Sequence, residues 1–185
     1  MTNLSHHYSK ARWRFDIAKI RKGEIIMGSL KEGLTTKVET GQETGREISS
    51  IGEQKSAEAA ASSETLSSLE CIDDDDREAA ENARNEARST AENIASNEIR
   101  QPTSEVVSGL NETSNEAQEY ASIEHSDASK ATGMTGDYSS IGSSLSSSFE
   151  ASAGAFEGIA SNATDVASQI ESTNEALAAA IEGAF

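Results

Sequence analysis

Residues 145–180 read LSSSFEASAGAFEGIASNATDVASQIESTNEALAAA, and this stretch decides the fold class. Its apolar and small residues recur at alternating spacings of four and three. An α-helix returns to one face at these intervals, and their repetition over about five heptads is the pattern of a coiled coil. We therefore predict one long amphipathic helix over about 139–184. Its predicted pairing seam contains Leu145, Phe149, Phe156, Ile159, Ala163, Val166, Ile170, Leu177 and Ala180, with Ser152 and Thr173 as polar interruptions.

Three more segments with helical periodicity precede this stretch, over about 29–71, 76–100 and 103–131. The chain of 185 residues holds 29 Ser, 27 Ala and 24 Glu, a single proline and 4% aromatic residues. Ala and Glu favour helices, and runs of β-branched or aromatic residues typical of strands are missing. We predict an all-α protein built as elongated helical hairpins or a coiled-coil-like bundle. Because large apolar side chains are sparse, a chain that is partly disordered until it meets a partner is the alternative.

Three features mark the predicted breaks between these helices. Asp73-Asp74-Asp75-Asp76 fits a turn near 72–77 that caps the second helix, since Asp suits a helix N-terminus. Pro102 fits the first turn of a new helix and predicts a break near 101–102. Residues 132–138 contain two glycines and are predicted to form a loop. These breaks define a hairpin region over 27–131 and a C-terminal helix over 139–185.

The formal net charge of −17 limits the classes of partner. Nucleic acids and anionic membranes both require Lys and Arg, so neither is expected. No apolar run reaches the roughly 18 residues of a membrane-spanning helix, and no secretory signal pattern heads the chain. We expect a cytoplasmic protein, unless it is exported without a cleaved signal peptide.

Residues 1–26 differ from the rest, with six Lys and Arg against two Asp and Glu. Two interpretations stay open. The segment is a basic amphipathic helix, with Trp13, Ile17 and Ile20 on one side, that docks on an acidic surface, including this protein's own. Alternatively it is a start-site artefact, because codons for residues 22–24 can contain a bacterial ribosome-binding sequence just upstream of Met27.

The C-terminal helix carries no Lys or Arg, because the last basic residue of the chain is Lys130. Salt bridges between oppositely charged flanking residues usually select a coiled-coil partner, and this helix alone cannot supply both charges. A partner helix with basic flanking residues would therefore fit it better than a second copy. The competing interpretation is that this helix packs on the preceding helices of its own chain.

Recognisable chemistry is scarce. The chain contains no nucleotide-binding, hydrolase or zinc-protease motif, and Cys71 with three scattered histidines gives no zinc spacing. The run that starts at Asp73 fails the calcium-loop pattern, because Arg77 and Glu78 occupy its fifth and sixth positions. We expect no catalytic site, no metal site and no cofactor. His125, His6 and His7 are expected on solvated surfaces.

One family resemblance rests on the layout of Met27 to Glu124. A long helix, a break at residues 71–77 and a second helical stretch lead to Tyr120-Ala121-Ser122-Ile123-Glu124, a Y-x-x-x-[DE] pattern. This layout resembles the WXG-type helical hairpins of bacterial type VII secretion and the helical partners that escort LXG-type toxins. The resemblance implies pairing with another hairpin, and an export signal that includes Tyr120 and Glu124. The chain differs in having no W-x-G at the turn.

These observations predict a non-enzymatic interaction or escort protein that works through helix–helix pairing. The favoured partner is a different protein, as in a type VII secretion substrate or toxin-partner protein. The alternative is a structural coiled-coil protein, such as a phage or filament component, that assembles with copies of itself.

Overall fold

A computed structural model of the chain describes the backbone of residues 4–71 and 73–185, with side chains from Ile26 onward except at residue 72. Helix α1 spans Leu4–Ser67, α2 Asp74–Ile94, α3 Gln101–Thr132 and α4 Ser139–Glu182. A π-helical turn, Ala95–Arg100, joins α2 to α3, and a short 3₁₀ turn, Gly136–Tyr138, precedes α4. The predicted all-α class is confirmed, and the described residues form a helical bundle.

The helices run up, down and up. Lys37 of α1 pairs with Glu116 of α3, whereas Gly41, one turn later in α1, faces Leu110, which lies earlier in α3, so these two helices are antiparallel. Gly45 and Gly52 of α1 face Ile170 and Leu177 of α4 in the same order, so α1 and α4 are parallel. Because α2, the π-helical turn and α3 follow one another in helical geometry, the architecture is a three-helix rod.

The core is a line of three small clusters along the rod. One end packs Leu34 and Phe156 with alanines of α3 and α4. The middle packs Val38, Leu110 and Ile170. The other end consists of Ile48, Ala59, Ala91, Ala95, Ile99, Ala178 and Ile181. Alanine fills many core positions, so the helices approach closely while each contact buries little apolar area.

The acidic run at residues 73–76 lies in the turn after α1 and begins α2. Asp73 has extended backbone geometry, and its carboxylate accepts a hydrogen bond from the Asp76 amide at 2.9 Å. Asp74, Asp75 and Asp76 occupy the first turn of α2, where negative charge stabilises the exposed amides of a helix start. The expectation of a helix cap is therefore confirmed.

Pro102 does not break the rod. The chain stays helical through residues 101–102, and the disturbance takes the form of the π-helical turn Ala95–Arg100. At its end the Gln101 amide donates to the Ser96 carbonyl, five residues back. A proline lacks an amide hydrogen and its ring crowds the carbonyl four residues earlier, here that of Glu98. The wider π-helical turn accommodates both effects. Helix α3 begins at Gln101 with Pro102 in its first turn, as predicted, and the boundary is a change from π-helical to α-helical geometry.

The loop between α3 and α4 lies at residues 133–138. Gly136 has a φ of +67°, a backbone conformation that side chains with a Cβ rarely adopt. Gly142, in the first turns of α4, lies against α3, where an added Cβ would be 2.5 Å from the Ala131 carbonyl oxygen. These two glycines allow the chain to reverse direction tightly.

Candidate interaction sites

The predicted pairing seam of α4 lies largely inside the molecule. Phe156, Ala163, Val166 and Ile170 are buried against α1 and α3. Leu145, Phe149, Ile159 and Leu177 are half-buried. The competing interpretation, that this helix packs on its own chain, describes the structure. A partner that takes this seam would therefore have to displace α1 or α3.

On one side of the predicted seam, the most buried row of α4 lies one residue further along the sequence than predicted. The row of Phe149, Phe156, Ala163, Ile170 and Leu177 faces the core as expected. The row that begins at Leu145 is buried at Val166 and half-buried at Leu145, Ser152 and Ile159, but it is exposed at Thr173. The next row along is buried throughout and contains Ala153, Ala160, Ala167, Asn174 and Ile181. Small residues occupy this row because two neighbouring helices approach α4 there.

Asn174 forms a polar layer with the other two helices. Its side chain is 0% exposed. Its Oδ1 accepts a hydrogen bond from Ser49 Oγ of α1 at 2.7 Å, and its Nδ2 donates to Thr103 Oγ1 of α3 at 2.9 Å. A buried polar group is costly unless it is paired, so this layer favours one register of the three helices over shifted ones. The sequence pattern placed the polar interruption at Thr173, one residue away.

The two residues of the candidate export motif are engaged within the bundle. Tyr120 is half-buried, and its ring lies 5.4 Å from the Phe156 ring of α4. Glu124 is only 4% exposed. Burial raises the pKa of Glu124, while a hydrogen bond with Ser152 and the positive charge of Lys31 oppose that shift. The motif is therefore part of the α3–α4 packing in this conformation.

His125, next to Glu124, connects α3 to α4 at the surface. Its Nε2 lies 3.0 Å from Glu157 Oε1 and its Nδ1 lies 2.9 Å from Glu150 Oε2. The hydrogen bond to Glu157, followed by the charge of Glu150, raises the pKa of His125 above its ordinary value. Protonation of His125 therefore strengthens this contact. The expected exposed position of His125 is confirmed, and its ring also pairs with two carboxylates of α4.

Arg100, on the π-helical turn, holds the far end of α4. Its guanidinium contacts Glu175 at 2.9 Å and also binds Glu182. The pKa values of both carboxyl groups are lowered, chiefly by their hydrogen bonds to Arg100. This contact was not predicted, because residue 100 and residues 175–182 are remote in sequence.

An open groove of about 460 Å³ lies where α1 meets α3. Thr36, Thr40 and Gly41 line it from α1, and Gly109 and Thr113 line it from α3. A Cβ added to Gly109 would find no neighbour within 4 Å. Glycine in a helix interior costs roughly 1 kcal/mol relative to alanine, and packing among the described residues gives no reason for it here.

The remaining candidates do not assemble into a site. Cys71 is exposed in the turn between α1 and α2. The side chains of His6 and His7 lie outside the described residues. Among residues that the structure does describe, no group of three or more His, Cys, Asp or Glu side chains is arranged to hold a metal ion. Within the same part of the chain, no helix is both long and apolar enough to cross a bilayer.

Comparisons with known proteins give no further guide to this chain. No protein-family model, curated protein or solved structure matches it.

Proposed function

We propose that this chain is a non-enzymatic interaction or escort protein that pairs through its helices with a different protein. The open groove between α1 and α3 carries the proposal. Its lining includes the small residues Gly109, Thr36, Thr40 and Thr113, which would let a partner helix approach closely. A fourth helix in this groove would turn the three-helix rod into a four-helix bundle, a common way for long helices to bury more apolar surface.

Charge favours a partner that differs from this chain. Two copies that pack side by side would each bring a net charge of −17, and like charges repel at close range. Lys37 on the groove edge is already paired with Glu116 at 2.7 Å. A partner helix with Lys or Arg beside its apolar stripe would find acidic groups to pair with. This supports a heteromer over a side-by-side homo-oligomer.

Two of the exposed helical glycines, Gly109 and Gly154, provide a test of pairing. Neither has a neighbour within 4 Å of an added Cβ, so a side chain can start from either position without a clash at Cβ. Gly109 lines the groove and Gly154 lies on α4, outside it. Each variant is co-expressed with the product of the adjacent gene, and complexes are measured by light scattering after gel filtration. We expect Gly109→Leu to abolish the complex and Gly154→Leu to retain it. Equal pairing by both variants would remove the groove from the proposal.

The more specific setting that we propose is type VII secretion, which rests on the resemblance and on Tyr120 and Glu124. Because both residues contact α4, a receptor that reads them would require α4 to open locally. Export is measured in a Gram-positive host with an active type VII system. We expect Tyr120→Ala to block export, and Glu119→Ala, an exposed change on the same helix, to leave it intact. Export of Tyr120→Ala at the level of the parent chain, with unchanged circular dichroism, would exclude Tyr120 as a signal.

Self-assembly as a structural protein is the alternative, and the loop end of the rod favours it. Met134 and Ile141 are large apolar residues that remain 41% and 38% exposed there. An apolar end surface can support end-to-end association. A stable homo-oligomer that persists in high salt and is lost in Met134→Ser would favour this function over the heteromer.

A further inference from the structure

A second groove, of about 420 Å³, lies between α1 and α2 beside the last turn of α4. Ile181 and Phe185 close one end of this groove, while Ala59, Ala87 and Ala91 belong to its alanine-rich walls. Arg88 Nη2 donates to the Phe185 carbonyl oxygen at 2.6 Å and fixes this end. A helix laid in the groove would continue the packing that α4 makes with α1 and α2.

The groove lies in the most acidic part of the rod. Residues 55–92 contain eleven Asp and Glu against one Lys and three Arg. Lys55, which also lines the groove, is paired with Glu58 at 3.1 Å. Arg77 is paired with Asp74 at 3.0 Å, Arg84 donates to the Leu66 carbonyl oxygen at 3.3 Å, and Arg88 holds the C-terminal end. Glu86 on the groove wall is exposed. An occupant with small or acidic side chains would leave this charge uncompensated, so the groove favours a basic helix with bulky apolar residues.

The chain itself contains one segment of that chemistry. Residues 4–24 hold six Lys and Arg against two acidic residues, with Trp13, Ile17 and Ile20 at helical spacing. Helix α1 is continuous from Leu4 to Ser67, so this segment and the groove belong to the same helix. The 31 residues between positions 24 and 55 correspond to about 47 Å at 1.5 Å per residue. The segment therefore cannot fold back onto the groove of its own chain.

We propose that residues 4–24 of one copy dock in the α1–α2 groove of a second copy, so that copies associate head to tail. Each copy then offers one donor segment and one acceptor groove at opposite parts of the rod. Such a contact does not close on itself and forms open chains. It uses a different surface from the groove between α1 and α3, so it goes beyond the proposed function, and either can fail without the other.

Cross-linking from the turn tests the geometry of the docking. Cys71 is the only cysteine and is exposed, so the full-length chain can be labelled there with benzophenone maleimide. After irradiation at low salt, mass spectrometry should find cross-links from Cys71 to peptides within residues 1–26. Cross-links confined to residues around Cys71 itself would indicate tip-to-tip contact and overturn the proposal, and so would the absence of any cross-linked dimer.

A matched pair of charge reversals tests the chemistry. Glu86→Lys changes the groove wall, whereas Glu171→Lys makes the same change at an exposed position on α4. Association is followed at low salt by sedimentation velocity and by the emission wavelength of Trp13, the only tryptophan. We expect Glu86→Lys to weaken association about two- to fivefold, the effect of an exposed charge pair, and Glu171→Lys to leave it unchanged or stronger. Equal weakening by both variants, or monomer at every concentration, would refute docking in this groove.

Discussion

The substitution Gly45→Ala separates two effects of this glycine on stability, its low helix propensity and its close packing against α4. Gly45 lies in the interior of α1, where alanine would stabilise the helix by roughly 1 kcal/mol through intrinsic propensity. It also lies directly beneath Ile170 of α4. An added Cβ would overlap the Ile170 Cδ1 atom and lie 2.5 Å from its Cγ1. Gly33 on the same helix provides the control, since an added Cβ there has no neighbour within 4 Å.

Only Gly33→Ala should therefore stabilise the protein. Gly33→Ala retains the full propensity gain of about 1 kcal/mol, which corresponds to a rise in Tm of about 2–4 °C for a chain of this size. Gly45→Ala gains the same amount but forces Ile170 from its place, and overpacking of this kind costs typically about 1–3 kcal/mol. The expected net effect ranges from none to a loss of about 2 kcal/mol in the free energy of unfolding.

Urea denaturation followed by circular dichroism at 222 nm measures both variants against the parent chain. The slopes of the unfolding curves serve as a check, because a change in slope would indicate altered compactness rather than altered stability. If Gly45→Ala stabilised the protein as much as Gly33→Ala does, α1 and α4 would not be in close contact at this level. That result would refute the parallel α1–α4 packing.

Three further predictions concern single residues. Asn174→Leu leaves the Thr103 hydroxyl without its buried partner, whereas the Ser49 hydroxyl keeps the Gly45 carbonyl oxygen as an acceptor. We expect urea unfolding to show a loss of about 1–3 kcal/mol; unchanged stability would contradict the polar layer. Burial raises the pKa of Glu124 in the folded state above its unfolded value near 4.5. The stability that the protonated carboxyl contributes is therefore fully present below pH 4.5 and is lost as the pH rises through the folded pKa. Glu124→Gln should therefore raise stability at pH 7 and flatten its pH dependence above pH 4.5, and a steeper profile in thermal melts would be the contrary result. Asp73→Ala removes the cap of α2 and should cost about 1 kcal/mol by urea unfolding, while an unaffected midpoint would show that the cap contributes nothing.

The heptad spacing in the last third of the sequence predicted α4 and half of its buried face. It identified Phe156, Ala163 and Ile170 because a bulky or apolar residue at every seventh position is visible in the sequence. It missed Ala160 and Asn174, since alanine is common throughout this chain and asparagine normally suits solvent. Only the positions of Ser49 and Thr103, which belong to two other helices, make Asn174 a core residue.

The junction at Pro102 shows a different limit of sequence reasoning. Proline predicts a disturbance, but its local effect is compatible with a helix start, a kink or a widened turn. Tertiary contacts favour the last, because Ile99 is fully buried and Arg100 reaches two carboxylates of α4 from that turn. These partners are about 75 residues away in sequence, so no local pattern reveals them.

The candidate export motif was readable from the sequence, but its environment was not. The spacing of Tyr120 and Glu124 places both on nearly one face of a helix. Whether that face meets solvent or another helix depends on α4, which no motif specifies. The contact of Tyr120 with Phe156 and the burial of Glu124 now set a condition on any receptor that reads them.

In this structure, one copy of the chain closes its own three-helix core, and α4 lies inside that core. Nuclear Overhauser spectroscopy of a dilute sample with labelled methyl groups can detect the contacts that this packing requires. We expect cross-peaks from the Leu110 methyl groups to Gly41 and from the Ile170 methyl groups to Gly45, contacts that join α3 and α4 to α1. A helical spectrum in which Leu110 and Ile170 show cross-peaks only to residues of their own helices would contradict it.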